Sequence, residues 1–139
     1  MINYFSRFTL RCDCIRAFLK FSFGAMKKSL QIEADIVFAT STPLTIALSA
    51  VYASRKQKIP MVFEVRDLWP ELPIAVGALK NPLLRYLAKY LERLAYKNSK
   101  AINTLSSGMK EDVLKTGFPS SRVSVIPNSC DIDMFRVSP

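Results

Sequence analysis

From residue 30 onward the chain alternates between short apolar runs and longer stretches with helical spacing. Ile36, Val37, Phe38 and Ala39 form an unbroken apolar run that ends in Thr40, Ser41, Thr42 and Pro43. This is the pattern of a buried strand running into a polar loop. Leu44, Ala47, Leu48, Val51 and Tyr52 then recur at i, i+3, i+4, i+7 and i+8, which places them on one face of a helix over residues 44–54. Pro60 separates that helix from a second apolar run at 61–65. In the loop that follows, Pro70 and Pro73 exclude a regular helix or a central strand. Asn81 and Pro82 are a helix start, with the amide as cap and proline at the first helical position. Leu83, Leu84, Leu87, Leu91, Leu94 and Ala95 trace its apolar stripe, while Arg85, Lys89, Glu92 and Arg93 fall mostly off it. A third strand is predicted at 101–105. Ser106 or Ser107 caps a helix over 109–116, with Glu111 and Asp112 early enough to favour its dipole and Gly117 ending it. Residues 123–126 read as a fourth strand, broken by Pro127, Asn128 and Ser129.

Strands and helices alternating at this spacing mean βαβ units, hence an α/β fold with a mostly parallel sheet and flanking helices. With 50% hydrophobic and 22% charged residues, the 139-residue chain has the balance of one globular domain with a real core.

Composition removes several chemistries. The chain has no histidine, so Ser-His-Asp and Cys-His triads are excluded. Cys12 and Cys14 have no second cysteine pair and no histidine to complete a zinc site, and Cys130 stands alone. Neither a metal nor another cofactor is expected. Acid–base work is left to carboxylates, Arg, Lys or the substrate itself.

The formal net charge is +9, which fits either a polyanionic partner or a protein that is simply basic. The cations are concentrated at the start. Arg7, Arg11, Arg16, Lys20, Lys27 and Lys28 face a single acid, Asp13, across residues 1–28, and they are interleaved with Phe5, Phe8, Phe18, Phe21 and Phe23. No apolar run reaches the ~18–20 residues of a membrane span. A secretory signal would have an unbroken apolar centre, and an organelle transit peptide is the weaker alternative. The simplest reading is another helix, packed through its Phe and Leu residues.

In a parallel sheet, ligands bind beyond the carboxyl ends of the strands. Those ends are Thr40, Ser41 and Thr42; Arg66 and Asp67; Ser106, Ser107 and Gly108; and Asn128 and Ser129. They either converge on a hydroxyl-rich or phosphate-bearing ligand or are polar because loops meet water. Arg66 directly after a buried strand is a costly place for a charge unless it meets an anion or a carboxylate. Asp67 is either that carboxylate, a site residue, or the cap of an Asx-turn. Ser106, Ser107 and Gly108 open a helix whose free N–H groups suit a phosphate or sugar oxygen, or they only cap it. Trp69 either stacks on a sugar ring or packs the loop.

The run Phe63-Glu64-Val65-Arg66-Asp67-Leu68-Trp69-Pro70-Glu71 resembles a signature of family 4 glycosyltransferases, in the branch similar to L-fucosamine transferases of surface-polysaccharide assembly. Ala75-Val76-Gly77-Ala78-Leu79-Lys80, Leu105-Ser106-Ser107-Gly108-Met109-Lys110 and Val125-Ile126-Pro127-Asn128-Ser129-Cys130-Asp131 continue the likeness in order. The resemblance implies a B-type enzyme with two Rossmann-like domains across a cleft. Such an enzyme moves a sugar from a nucleotide diphosphate to an acceptor with retention and without a metal. Helix dipoles and basic side chains balance the leaving diphosphate. The candidate catalytic pair is Arg66 and Asp67, and the candidate substrate-binding residues are the other strand-end positions, Thr40, Ser41, Thr42, Ser106, Ser107, Gly108, Asn128 and Ser129.

Against the family pattern, the first strand, the glycine-rich acceptor loop and the donor domain have no counterpart. The resemblance therefore implies that residues 1–139 are a single, incomplete acceptor-side domain. Residues 127–139 would start the linker to the donor half, and the chain alone would be inactive. Many relatives carry His-Asp where this chain has Arg66-Asp67, and Pro-Asn-Gly where it has Pro127-Asn128-Ser129.

The expected partners are a nucleotide-sugar donor, held by the other domain, and a lipid-linked sugar acceptor. An anionic membrane surface would meet Arg7, Arg11, Arg16, Lys20, Lys27, Lys28 and the basic third helix, placing the protein in the cytoplasm at the inner face of the cell membrane. The competing reading is a non-catalytic basic α/β module that binds nucleic acid or a partner subunit. Its interleaved aromatics would stand exposed on a sheet or loop, whereas most aromatics here fall in strands and on helix faces. Nucleic acid is therefore not an expected partner.

Overall fold

The computed structural model describes residues 16–17, 20–41, 44–68 and 80–129. Arg7, Arg11, Thr42, Trp69 and residues 130–139 lie outside them. Helix α1 covers residues 20–29. It is followed by β1 (Val37–Thr40), α2 (Ile46–Gln57), β2 (Met61–Val65), α3 (Pro82–Asn98), β3 (Ala101–Thr104), α4 (Ser107–Lys115), a single 3-10 turn (Ser120–Arg122) and β4 (Val123–Val125). All four expected strands are present, each within a residue of its expected bounds.

The strands form one sheet in the order β1-β2-β3-β4, and every pairing is parallel. The register pairs Ala39 with Phe63, Phe63 with Ile102, and Ile102 with Val123. Each connection steps one place in the same direction. Since crossovers between parallel strands are right-handed, α2, α3 and α4 all fall on one face. The core confirms this. Ala39, Met61, Phe63, Val65, Ile102 and Val123 alternate along the strands onto that face and pack with Leu44, Ala47, Ala50 and Val51 of the α2 region, Ala95 and Tyr96 of α3, and Val113 of α4. Phe63 is 1% exposed and meets Tyr96 edge-on, with ring centroids 6.1 Å apart. The opposite face carries Phe38, which is 62% exposed, and no helix covers it among the described residues.

Local chemistry sets the helix ends. The Asn81 side chain accepts a hydrogen bond from the Leu83 N–H at 2.9 Å, and Pro82 occupies the first turn. The Ser106 hydroxyl accepts from the Met109 N–H at 3.3 Å. This makes Ser106, rather than Ser107, the cap of α4. Gly117 follows α4 with φ +89°, a conformation open to glycine and strained for other residues.

Four details differ from the sequence-based expectations. Helix α4 starts two residues earlier than expected, so Glu111 and Asp112 fall beyond its first turn. Asp112 instead pairs with Lys115 at 2.7 Å, and that hydrogen bond raises the Lys115 pKa above the ordinary lysine value.

In α2 the buried face is Ala47, Ser49, Ala50, Val51 and Ala53, while Tyr52 is exposed. Small residues prevail there because α1 approaches closely. The Ser49 hydroxyl donates to the Ser22 carbonyl at 2.8 Å, and the Ser22 hydroxyl donates to the Thr45 carbonyl at 3.1 Å.

For the same reason α1 packs through Ser22, Ala25, Met26 and Ser29, at helical spacing. Phe21 and Phe23 point to solvent rather than into a core.

In α3 only the second half of the expected stripe packs, and Leu83, Leu84 and Leu87 are exposed. A 17-residue helix is about 25 Å long, whereas a five-residue strand spans about 17 Å. The first turns of α3 therefore overhang the sheet.

Candidate functional site at the carboxyl ends of the strands

Strand β2 ends at Val65, and Arg66 and Asp67 turn away from the sheet. A serine from the neighbouring strand end holds that turn. Ser41 is 2% exposed, and its own N–H donates to the Glu64 carbonyl at 2.9 Å. Its hydroxyl oxygen accepts from the Arg66 N–H at 2.9 Å and from the Asp67 N–H at 3.3 Å. The Ser41 hydroxyl thus ties down the backbone of both residues of the Arg-Asp pair.

Next to this latch lies a pocket of about 470 Å³ lined by Thr40, Arg66, Asp67, Leu105 and Asn128. Each of β1, β2 and β3 contributes its last residue or the loop just beyond it, and Asn128 arrives from the segment after β4. The Arg66 side chain is exposed, so water relieves the desolvation cost expected for a cation next to a buried strand. Arg66 therefore does not need a carboxylate to be tolerated there. The pocket places a guanidinium, a carboxylate and an amide around one space open to solvent, with the Thr40 hydroxyl oxygen buried in its wall. Such a set suits a ligand carrying both an anion and hydroxyl groups.

Of the residues singled out from sequence, the pocket gathers Thr40, Arg66, Asp67 and Asn128, and Ser41 stands directly behind it. Ser106, Ser107, Gly108 and Ser129 are exposed and do not line it. The α4 start is held in place from below. Thr104, fully buried, donates its hydroxyl toward the Ser124 and Ser106 carbonyls at 3.2 and 3.3 Å. Leu105 was not singled out, and its apolar side chain gave no chemical signal.

Ser41→Ala removes the acceptor for two backbone N–H groups. The expected result is a loss of about 1–3 kcal/mol in urea unfolding, with a change in whatever chemistry Arg66 performs. An unchanged unfolding midpoint would show that water replaces the hydroxyl.

Among the described residues, no three potential metal-ligating side chains cluster, and no helix is long and apolar enough to cross a membrane.

A parallel sheet that carries helices on one face among the described residues, with a polar pocket at its strand ends, makes an α/β domain of Rossmann-like type. Its sequence matches the profile of Glycosyltransferase Family 4 over residues 4–134. The chain belongs to that family, whose members move sugars from activated donors to acceptors. No curated protein matches the chain.

Proposed function

We propose that this chain forms the acceptor-side domain of a retaining glycosyltransferase. The enzyme would transfer a sugar from a nucleotide diphosphate to a lipid-linked polysaccharide acceptor, in the branch similar to L-fucosamine transferases. The observation that carries the reading is the pocket that joins Arg66 and Asp67 to Thr40 and Asn128 at the carboxyl ends of a parallel sheet. Arg66 offers a cation to developing or bound phosphate charge, and the Asn128 amide offers a partner to sugar hydroxyls. Donor binding belongs to a second domain facing this edge of the sheet. The test is transfer of a radiolabelled sugar from its nucleotide diphosphate to a lipid-linked acceptor by the enzyme that carries this domain, with the product anomer read by NMR. Transfer with inversion would reject the retaining mechanism. Absence of transfer across the common nucleotide sugars would reject the function.

A lipid-linked acceptor places the enzyme at the inner face of the cell membrane. Support comes from α1, where exposed Phe21 and Phe23 stand on the same short helix as exposed Lys20, Lys27 and Lys28. Helix α3 adds exposed Leu83, Tyr86, Leu87 and Tyr90 beside Lys89. Aromatics beside cations are the surface chemistry of interfacial helices. The protein should sediment with anionic vesicles and release in high salt, because exposed charges are screened beyond about 8–10 Å. Changing Lys20, Lys27 and Lys28 together to Gln should weaken that binding about a hundredfold, at about 1 kcal/mol per cation. Equal sedimentation with neutral vesicles would overturn the membrane assignment.

A further inference from the structure

A groove separates α3 from α4. It consists of two adjoining pockets of about 380 and 460 Å³ that share Arg93, Tyr96 and Thr116. Lys89 and Arg93 line the first, with Lys115 on the α4 side. Arg93, Lys97 and Arg122 line the second, whose wall holds no acid among the described residues. All five cations are exposed.

Cations near helix C-termini often offset the carbonyls left open there. Here other groups meet that need. At the end of α3 the Ser99 hydroxyl donates to the Ala95 carbonyl at 2.7 Å, and the Asn98 amide donates to the Leu94 carbonyl at 2.6 Å. At the end of α4 the Thr116 hydroxyl donates to the Val113 carbonyl at 2.6 Å, and the Gly117 N–H donates to the Leu114 carbonyl at 2.9 Å. The acids of the first pocket are engaged as well. Asp112 holds Lys115 at 2.7 Å, and Glu92 accepts from the Tyr96 hydroxyl at 3.1 Å. Among the described residues no ion pair engages Lys89, Arg93, Lys97 or Arg122. The groove therefore carries positive charge that the fold does not use.

Shape selects among the anions that could neutralise it. A flat bilayer does not enter a cleft between two helices. Tyr96 is 5% exposed, and the Arg122 guanidinium covers the Phe118 ring, 4.7 Å from its centroid. Neither ring is open for a nucleic-acid base to stack on. Lys89, Arg93 and Lys97 recur at i, i+4 and i+8, a rise of about 6 Å per step along the helix. Side chains on one face of an extended peptide recur about every 6.5 Å, so the two spacings match. Stacking on Phe118 also holds the planar Arg122 fork in place, with its N–H edge suited to a carboxylate.

We propose that this groove binds an extended acidic segment of a partner protein, with carboxylates at alternate positions meeting Lys89, Arg93 and Lys97. The carboxylate nearest Lys97 also takes Arg122 from the opposite wall. The surface lies away from the strand-end pocket and is independent of the reading given to it.

The experiment is an NMR titration of the 139-residue chain with a synthetic peptide that carries three glutamates at alternate positions. The comparison ligands are a peptide of the same composition with the glutamates consecutive, inorganic phosphate, and phosphatidylglycerol vesicles. The alternating peptide should shift the Gly117 amide and the Nε–H signals of Arg93 and Arg122 together. Arg93→Gln and Arg122→Gln should each raise its Kd about ten- to a hundredfold, the value of a charge-assisted hydrogen bond. Both side chains are exposed, so the variants should fold. Asp112→Asn releases Lys115 and should tighten binding about two- to fivefold. The consecutive peptide should bind about tenfold more weakly, since it loses one paired contact. Equal affinity for the two peptides overturns the extended-segment proposal, as does unchanged affinity in both arginine variants. A stronger response at Gly117 to phosphate or to vesicles than to the peptide assigns the groove to a phosphate group and overturns it too.

Discussion

Arg66→Ala is expected to lower the turnover of sugar transfer about a hundred- to a thousandfold and to leave the unfolding midpoint where it was. The two halves of that expectation come from different atoms of one residue. The backbone N–H of Arg66 is bound to the Ser41 hydroxyl, a contact that alanine keeps. The side chain is exposed and lines the pocket, so its removal leaves no buried group unpaired. In the proposed function, what is lost is a cation at the place where phosphate charge would sit or develop, a kind of group that commonly contributes about 3–4 kcal/mol to a barrier. Arg66→Lys should recover part of the rate, since it restores a point charge without the planar fork. The measurement is radiolabelled sugar transfer by the enzyme carrying this domain, with chemical unfolding in parallel. A fully active Arg66→Ala enzyme would remove Arg66 from the site.

The largest effect on stability is expected from Phe63→Ala. Phe63 is the biggest fully buried side chain among the described residues, in one of the two strands with neighbours on both sides. Its ring meets Tyr96 of α3 edge-on, an arrangement that adds to simple burial. Truncating a core phenylalanine costs about 3–5 kcal/mol, a large share of the roughly 5–15 kcal/mol that holds a domain folded. Urea unfolding should show the midpoint falling with little change in slope. A loss below about 1 kcal/mol would mean that α3 collapses onto the vacated space.

The parallel sheet was legible because each strand is a short apolar run flanked by breakers such as Pro60, and each helix carries an explicit start, as at Asn81-Pro82. The pocket was legible in part. Arg66, Asp67, Thr40 and Asn128 could be named because parallel strands point their carboxyl ends the same way. Which strand-end residues meet was not legible, since that depends on registers and turns. Ser106 reads in sequence as a helix cap or a ligand-binding serine, and its hydroxyl accepts from the Met109 N–H as a cap does. The α1 contact was hidden for a different reason. Hydrophobic spacing directs attention to Phe21 and Phe23, while the packed stripe is built from Ser22, Ala25, Met26 and Ser29, where closeness of approach matters more than apolar area. Likewise the leucines of α3 follow one helical stripe throughout, and nothing in that periodicity reveals where the shorter sheet beneath them ends.

The one-directional order of the strands has a consequence for how the domain comes apart. Each strand touches only its neighbours in sequence, so cohesion is additive along the row, as in a short repeat array. Opening should start at the ends, where β1 and the three-residue β4 each have a single partner among the described residues, and amide exchange should slow toward β2 and β3. Thr40 lies on one of these terminal strands, and Asn128 follows the other, yet both line the same pocket. A ligand held between them bridges the two elements most prone to fray. Occupancy would therefore act as a clasp, and its protection would reach well beyond the few side chains in contact.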